Sequence, residues 1–230
     1  MKAIILAAGK GERLRPLTDS TQKVMIEVGG KPCLQHSIEL LRKYGITEIA
    51  INTYYLPEKI KEYFKDGSEF GVSIRYSYEP EILGTAGALN NFRDFLRGEF
   101  FVVYGDVIHR INFEEMMRFH RSMRGLTTIA LDNRSQKGKG AVVLNGNRIV
   151  RFVEKPKEEI PGALVNSGVY LTNHKIFDYI PQQGFSDFGY HVLPSALRAG
   201  ERLYGLKIEE VIDIGTIEDL ERARALFRQP

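Results

Sequence analysis

Short apolar runs alternate with amphipathic stretches through the first 130 residues, a rhythm that few architectures accept. Residues 3–8, 48–53, 73–78, 100–104 and 127–131 are rich in Ile, Val, Phe or Thr and have the length of buried strands. Between them Leu34, Ile38 and Leu41 recur at helical spacing, and Pro57 stands where the first turn of a helix ahead of Ile60 and Phe64 tolerates it. Further helices are expected after Gly84 and over residues 112–124. Such alternation builds βαβ units, and hence a largely parallel, doubly wound α/β sheet.

After Asp132 the texture changes. Gly138, Gly140, Gly146 and Asn147 punctuate two apolar runs, 141–144 and 149–153, which predicts a hairpin or antiparallel excursion. A strand over 164–171, helices over 175–180 and 188–198, a strand over 203–208 and a helix over 217–227 follow. No Ser/Pro-rich linker, internal repeat or low-complexity tract divides the chain, so one domain with an inserted subdomain is the economical reading.

Composition excludes several classes. The 32 basic and 29 acidic side chains leave a net charge of +3, too mixed for a nucleic-acid partner, so any bound anion is held locally. The single cysteine, Cys33, forms neither an internal disulfide nor a zinc cluster and fits a reducing, cytoplasmic setting. The run 3–8 is too short to span a bilayer and lacks a signal-type cleavage pattern, so no membrane partner is expected.

The first strand runs into Leu6-Ala7-Ala8-Gly9-Lys10-Gly11-Glu12-Arg13-Leu14-Arg15-Pro16-Leu17-Thr18. Two glycines let backbone N–H groups converge on an anion, and Lys10, Arg13 and Arg15 add local positive charge, which implies a phosphate site. The loop is not the dinucleotide fingerprint, which needs a glycine where Leu14 stands, nor a Walker loop, because Lys31 is followed by Pro32. Taken alone, it reads equally well as a glycine-rich surface turn with solvated arginines.

The whole stretch resembles the signature of the sugar-1-phosphate nucleotidylyltransferases. The resemblance continues through Leu83-Gly84-Thr85-Ala86-Gly87, Gly105-Asp106, Phe152-Val153-Glu154-Lys155-Pro156, Val165-Asn166-Ser167-Gly168 and Asp213-Ile214-Gly215-Thr216, in the family's order and over essentially the entire chain. It implies a Rossmann-like three-layer α/β/α fold with a mostly parallel central sheet and a small antiparallel sugar-binding excursion. The nucleotide-binding half would cover about residues 1–131 and the sugar-phosphate half about 132–230. Members join a nucleoside triphosphate to a sugar 1-phosphate by in-line attack at the α-phosphorus, releasing pyrophosphate with the help of Mg²⁺.

By the same resemblance, Arg13, Lys23 and Asp106 carry the chemistry: Arg13 binds the triphosphate and steadies the leaving pyrophosphate, and Lys23 meets the α-phosphate region. Leu6, Ala7, Ala8, Gly9, Gly11, Glu79, Gly84 and Thr85 complete the nucleotide site, and Asp106 and Asp213 hold one Mg²⁺. Lys155 meets the sugar phosphate, Glu154 accepts from sugar hydroxyls, Asn166 donates and accepts, and Gly140 lets the backbone approach the ring. The structural alternatives are a solvated loop lysine at 23, a strand-end turn at Asp106, a helix cap at Asp213 (although Thr216 is the better cap), and an exposed hairpin end at Glu154 and Lys155. Two departures stand out. Gln22-Lys23-Val24 replaces the usual Pro-Lys-Pro, removing two rings that preset the backbone. His109 and Arg110 replace acidic or small polar residues; they either add positive charge near the sugar phosphate or, as the favoured reading, face solvent.

Glu79 stands where uridine- and thymidine-using relatives commonly present glutamine. A carboxylate accepts only, and guanine offers adjacent N1–H and N2–H₂ donors, so GTP is favoured, as in mannose- and heptose-1-phosphate guanylyltransferases. Mannose 1-phosphate or a related sugar phosphate would be the acceptor. Some uridylyl-transferring relatives also carry Glu, which keeps UTP or dTTP with a glucose or amino-sugar 1-phosphate open, and a Glu79 solvated beside Glu81 is the structural alternative. A catalytically silent nucleotide-sugar-binding paralogue is a further reading, opposed by the intact Arg13, Lys23, Asp106, Lys155 and Asp213. Only the catalytic core is expected, without appended β-helix, so a homodimer, where it forms, would use the core's own surface.

Overall fold

Ala3, Ile4 and Ile5 are wholly buried in the strand Lys2–Leu6, the first element of the computed structural model, which describes residues 1–227. This strand pairs in parallel with Glu48–Thr53, which pairs in parallel with Ser73–Tyr78. The helix Cys33–Lys43 crosses between the first two strands and buries Leu34, Ile38 and Leu41. The helix Pro57–Phe64 crosses to the third, with Pro57 in its first turn and Ile60 and Phe64 buried. The alternation in the sequence thus becomes parallel βαβ units here.

These elements lie in the first of two compact units, Met1–Ile82, Val103–His109 and Val211–Pro230; the second comprises Leu83–Val102 and Arg110–Glu210. The division expected near residue 131 falls inside the second. An apolar cluster in the first unit gathers Leu14 from the glycine loop, Val28, Cys33, Ile108, Ile212, Ile214 and Leu220. Strand alternation then turns Asp213 away from the side on which Ile212 and Ile214 are buried. The terminal helix Ile217–Leu226 is capped by Thr216, whose hydroxyl accepts from Asp219 N at 3.1 Å, so Asp213 is not its cap.

The second unit differs from the small antiparallel excursion expected. Leu164–Asn173 pairs antiparallel with Thr127–Asp132, which pairs in parallel with Leu203–Lys207; that strand pairs antiparallel with Arg148–Glu154, and Arg148–Glu154 with Gly140–Asn145. Gly140–Asn145 then returns to Leu164–Asn173, closing a small barrel of mostly antiparallel pairings. Closure leaves no strand edge to cover, which a short excursion could not achieve. The helix Phe113–Met123 begins at Asn112, whose side chain accepts from Glu115 N at 3.1 Å. Among the described residues, no helix is long and apolar enough to cross a membrane.

Candidate active site

In the first unit, an open cleft of about 480 Å³ is lined by Gly9, Gly11, Arg13, Lys23, Asp106 and Gly215, among others. Gly11 has φ 68°, and a Cβ there would lie 2.8 Å from Thr18 Cγ2, so backbone and packing both demand glycine. A Cβ on Gly9 would meet nothing within 4 Å; its absence leaves the loop's rim open to a ligand. Leu14 anchors the loop in the core, and the Thr18 hydroxyl donates to Gly11 O at 2.9 Å.

Lys23 is not solvated. It is buried and forms an ion pair with Asp106, 83 residues further along the chain. Burial works to lower its ammonium, but the charge and hydrogen bond of Asp106, joined by Asp213, outweigh it and Arg13, and the net shift is upward. For Asp106 burial works upward, and Lys23, with a smaller contribution from His109, turns the net shift downward. The pair therefore stays ionised at neutral pH. A Cβ on Gly215 would lie 2.9 Å from Asp213 Oδ1 and 3.2 Å from Arg13 Nη2, so this glycine lets a second carboxylate and the arginine approach one backbone position. Gly215 N also donates to Asp213 Oδ1 at 2.8 Å. His109 is buried at 5% exposure, contrary to the solvent-facing expectation, because its strand is covered; Arg110 is exposed.

Glu79 is wholly buried, which removes the solvated alternative. Its Oε1 accepts from Asn52 Nδ2 at 2.7 Å, and Asn52 Oδ1 accepts from Ala7 N at 2.9 Å. Asn52 went unnoticed in the sequence; the available signal was one amide in an otherwise apolar strand interior, Ile49 to Ile51. Gln22 is wholly buried as well and bonds Ala7 O, Gly9 O and Val24 N.

The remaining sequence-derived site residues, Gly84, Thr85, Gly140, Glu154, Lys155 and Asn166, belong to the second unit. Gly84 has φ 79°, and a Cβ there would strike Ser186 O. Thr85 Oγ1 donates to Asp187 Oδ2 at 2.8 Å and accepts from Phe188 N at 2.9 Å. The Gly-Thr-Ala-Gly segment is thereby fastened to residues 186–188, and its threonine hydroxyl is engaged internally. Glu154 is held between two glycines: a Cβ on Gly140 would lie 2.8 Å from Oε2, and one on Gly189 would collide with it. A Cβ on Gly140 would also lie 2.7 Å from Phe152 Cζ, so the hairpin's own side chains require glycine here. Burial, then the charge of Asp187, raises the Glu154 carboxyl against the opposing Lys155. Lys155 has φ 47° immediately before Pro156, a strained conformation, and its Nζ lies 5.9 Å from the centre of the Tyr190 ring. Asn166 Nδ2 donates to the Tyr170 hydroxyl at 2.6 Å, and its Oδ1 accepts from Gly168 N at 3.1 Å.

A glycine-rich, cationic loop at the carboxyl end of parallel strands, with two carboxylates beside it, is the arrangement of an α/β protein that handles phosphates. The family described as Nucleotidyl transferase matches residues 2–229, and this chain belongs to it. It is 36% identical over 241 residues to UTP–glucose-1-phosphate uridylyltransferase of Synechocystis, covering 97% of this chain and 62% of that protein. It is 36% identical over 236 residues to mannose-1-phosphate guanyltransferase of Saccharomyces cerevisiae, covering 99% of this chain and 64% of that protein. The chain therefore spans somewhat less than two thirds of these relatives. A crystal structure of a candidate glucose-1-phosphate thymidylyltransferase from Bacillus anthracis superposes with a TM-score of 0.90 at 29% identity, covering 100% of this chain and 96% of that one.

Proposed function

We propose that this chain transfers a nucleotidyl group from a nucleoside triphosphate, GTP by preference, to a sugar 1-phosphate such as mannose 1-phosphate. The observation that carries the reading is the cleft that joins the glycine loop to Arg13, Lys23 and Asp106. A phosphate oxygen of the sugar attacks the α-phosphorus, the bond to the bridging oxygen breaks, and pyrophosphate leaves with its electron pair; no covalent enzyme intermediate is needed. In this reading Lys23 holds the α-phosphate, and Arg13 neutralises charge on the departing pyrophosphate. Lys155 would hold the sugar phosphate, while Glu154 and Asn166 would orient the sugar.

Among the described residues, no three His, Cys, Asp or Glu side chains are grouped as a ready metal cage. Asp106 and Asp213 supply hard oxygens that act together on Lys23, a donor set that suits Mg²⁺ completed by substrate phosphates. When bound there, Mg²⁺ would supply charge neutralisation on those phosphates.

Glu79 supports guanine because it is a buried acceptor whose Oε1 is tied, through Asn52, to Ala7 at the root of the glycine loop. The uridylyltransferase relative supports the second reading, UTP or dTTP with a glucose-type 1-phosphate. Pyrophosphate release measured with Mg²⁺ across four triphosphates and several sugar 1-phosphates tests both. GTP with mannose 1-phosphate should give the highest kcat/KM; faster turnover with UTP would select the second reading, and none with any pair would overturn both.

A further inference from the structure

Gln22 is a wholly buried primary amide whose bonds all run to backbone atoms. Its Nε2 donates to Ala7 O at 2.5 Å and to Gly9 O at 3.3 Å, and its Oε1 accepts from Val24 N at 2.6 Å. The first two partners belong to the root of the glycine loop. The third belongs to the single turn Lys23–Met25 that carries Lys23. A buried amide is costly unless it is bonded, so these bonds define one arrangement of the two segments.

We infer that Gln22, acting with the Val24 amide, is a positioning residue that holds Lys23 and the glycine loop in mutual register. Two consequences of geometry support it. In a trans peptide the C=O and the following N–H point in opposite directions, so fixing Ala7 O and Gly9 O on Gln22 turns the N–H groups of Ala8 and Lys10 away from it, free to serve as donors to phosphate. The Gln22 backbone lies at φ −65°, ψ 138°, which proline would also adopt. Proline at 24, however, would delete the N–H that Oε1 requires. Positions 22 and 24 are therefore coupled: a glutamine with an N–H donor and a pair of proline rings are alternative locks, and a mixture is worse than either.

The kinetic half of the test rests on the nucleotidyl-transfer reading; the exchange half does not. In Gln22→Ala, the Val24 amide should exchange with deuterium about tenfold faster than in the wild type, with overall unfolding followed in parallel. Its kcat should fall about tenfold while KM for the sugar 1-phosphate stays within about twofold, because Lys23 and the loop serve the triphosphate. Val24→Pro alone should be impaired at least as much, and Gln22→Pro with Val24→Pro should recover about tenfold over Val24→Pro. Unchanged Val24 exchange in folded Gln22→Ala, or a double variant no better than Val24→Pro, overturns the inference. Should Gln22→Ala fail to fold, Gln22→Glu keeps the acceptor for Val24 and loses the donor to Ala7 and Gly9. The loop amides that are bonded in the wild type, Ala7 N to Asn52 Oδ1 and Leu14 N to Gly11 O, should then exchange faster while Val24 stays protected, and protection of all three would overturn the inference. A wild-type chain without turnover would count against the proposed function and leave amide exchange to decide the lock.

Discussion

Glu79 Oε1 accepts a hydrogen bond from Asn52 Nδ2 at 2.7 Å, and the same Asn52 holds the Ala7 amide through Oδ1 at 2.9 Å. The carboxylate is thereby linked to the root of the glycine loop through one buried side chain. Glu79→Gln keeps an acceptor oxygen for Asn52 and so should leave the unfolding midpoint close to that of the wild type. In steady-state kinetics it should lower kcat/KM for GTP about tenfold relative to UTP. An equal effect on both triphosphates would remove the basis for choosing guanine.

Asn52→Ala deletes the donor to Glu79 and the acceptor for Ala7 together. Urea denaturation should show a loss of about 2 kcal/mol, since buried polar partners lose their bonds. No loss would mean that the link is structurally idle.

Removing Asp106 strands the buried Lys23 ammonium without its partner. Asp106→Asn should reduce turnover by about three orders of magnitude and stability by about 3 kcal/mol. Adding Lys23→Met should regain part of the stability and none of the turnover. Retained turnover in Asp106→Asn would show that the metal and catalytic assignment is wrong.

Cys33 is wholly buried, and burial pushes its thiol well above the ordinary thiol value; Asp106 and Asp213 push the same way against Lys23. An aromatic disulfide reagent should therefore not label the folded protein, and should label this single cysteine on denaturation. Fast labelling of the native state would contradict the packing around the helix Cys33–Lys43.

His120 Nδ1 lies 2.8 Å from Thr128 Oγ1, and burial lowers its imidazole below the ordinary histidine value, Glu99 opposing and Arg121 reinforcing. Burial also lowers His36, against the Val28 carbonyl. Between the folded value and about 6.5 the unfolded chain binds more protons, so this contribution to stability is present above the ordinary histidine value and is lost as pH falls through it. Urea midpoints should decline from pH 7.5 towards 5.5, and His120→Asn should flatten the decline; an unchanged slope would assign it elsewhere.

Local rules located much of this. Leu34, Ile38 and Leu41 marked a buried helix face, Pro57 a helix start and Thr216 a cap, because each depends on neighbours within one turn. What escaped depends on partners far along the chain. Periodicity marks Gly140–Asn145 as a strand but does not say that it pairs with both Arg148–Glu154 and Leu164–Asn173 to close a barrel. Gln22 looked like a missing proline because its compensation lies 15 residues back, at Ala7. His109 looked solvated because its cover comes from other segments.

The first unit is assembled from three stretches of chain, and its core joins Leu14 and Val28 to Ile212, Ile214 and Leu220. During synthesis the glycine loop emerges well before the strand that delivers Asp213. Until then Leu14 and Val28 lack the cover of Ile212, Ile214 and Leu220, and Arg13 lacks the neighbouring Asp213. The growing polypeptide thus carries an unfinished apolar surface until Ile212, Ile214 and Leu220 emerge to cover it.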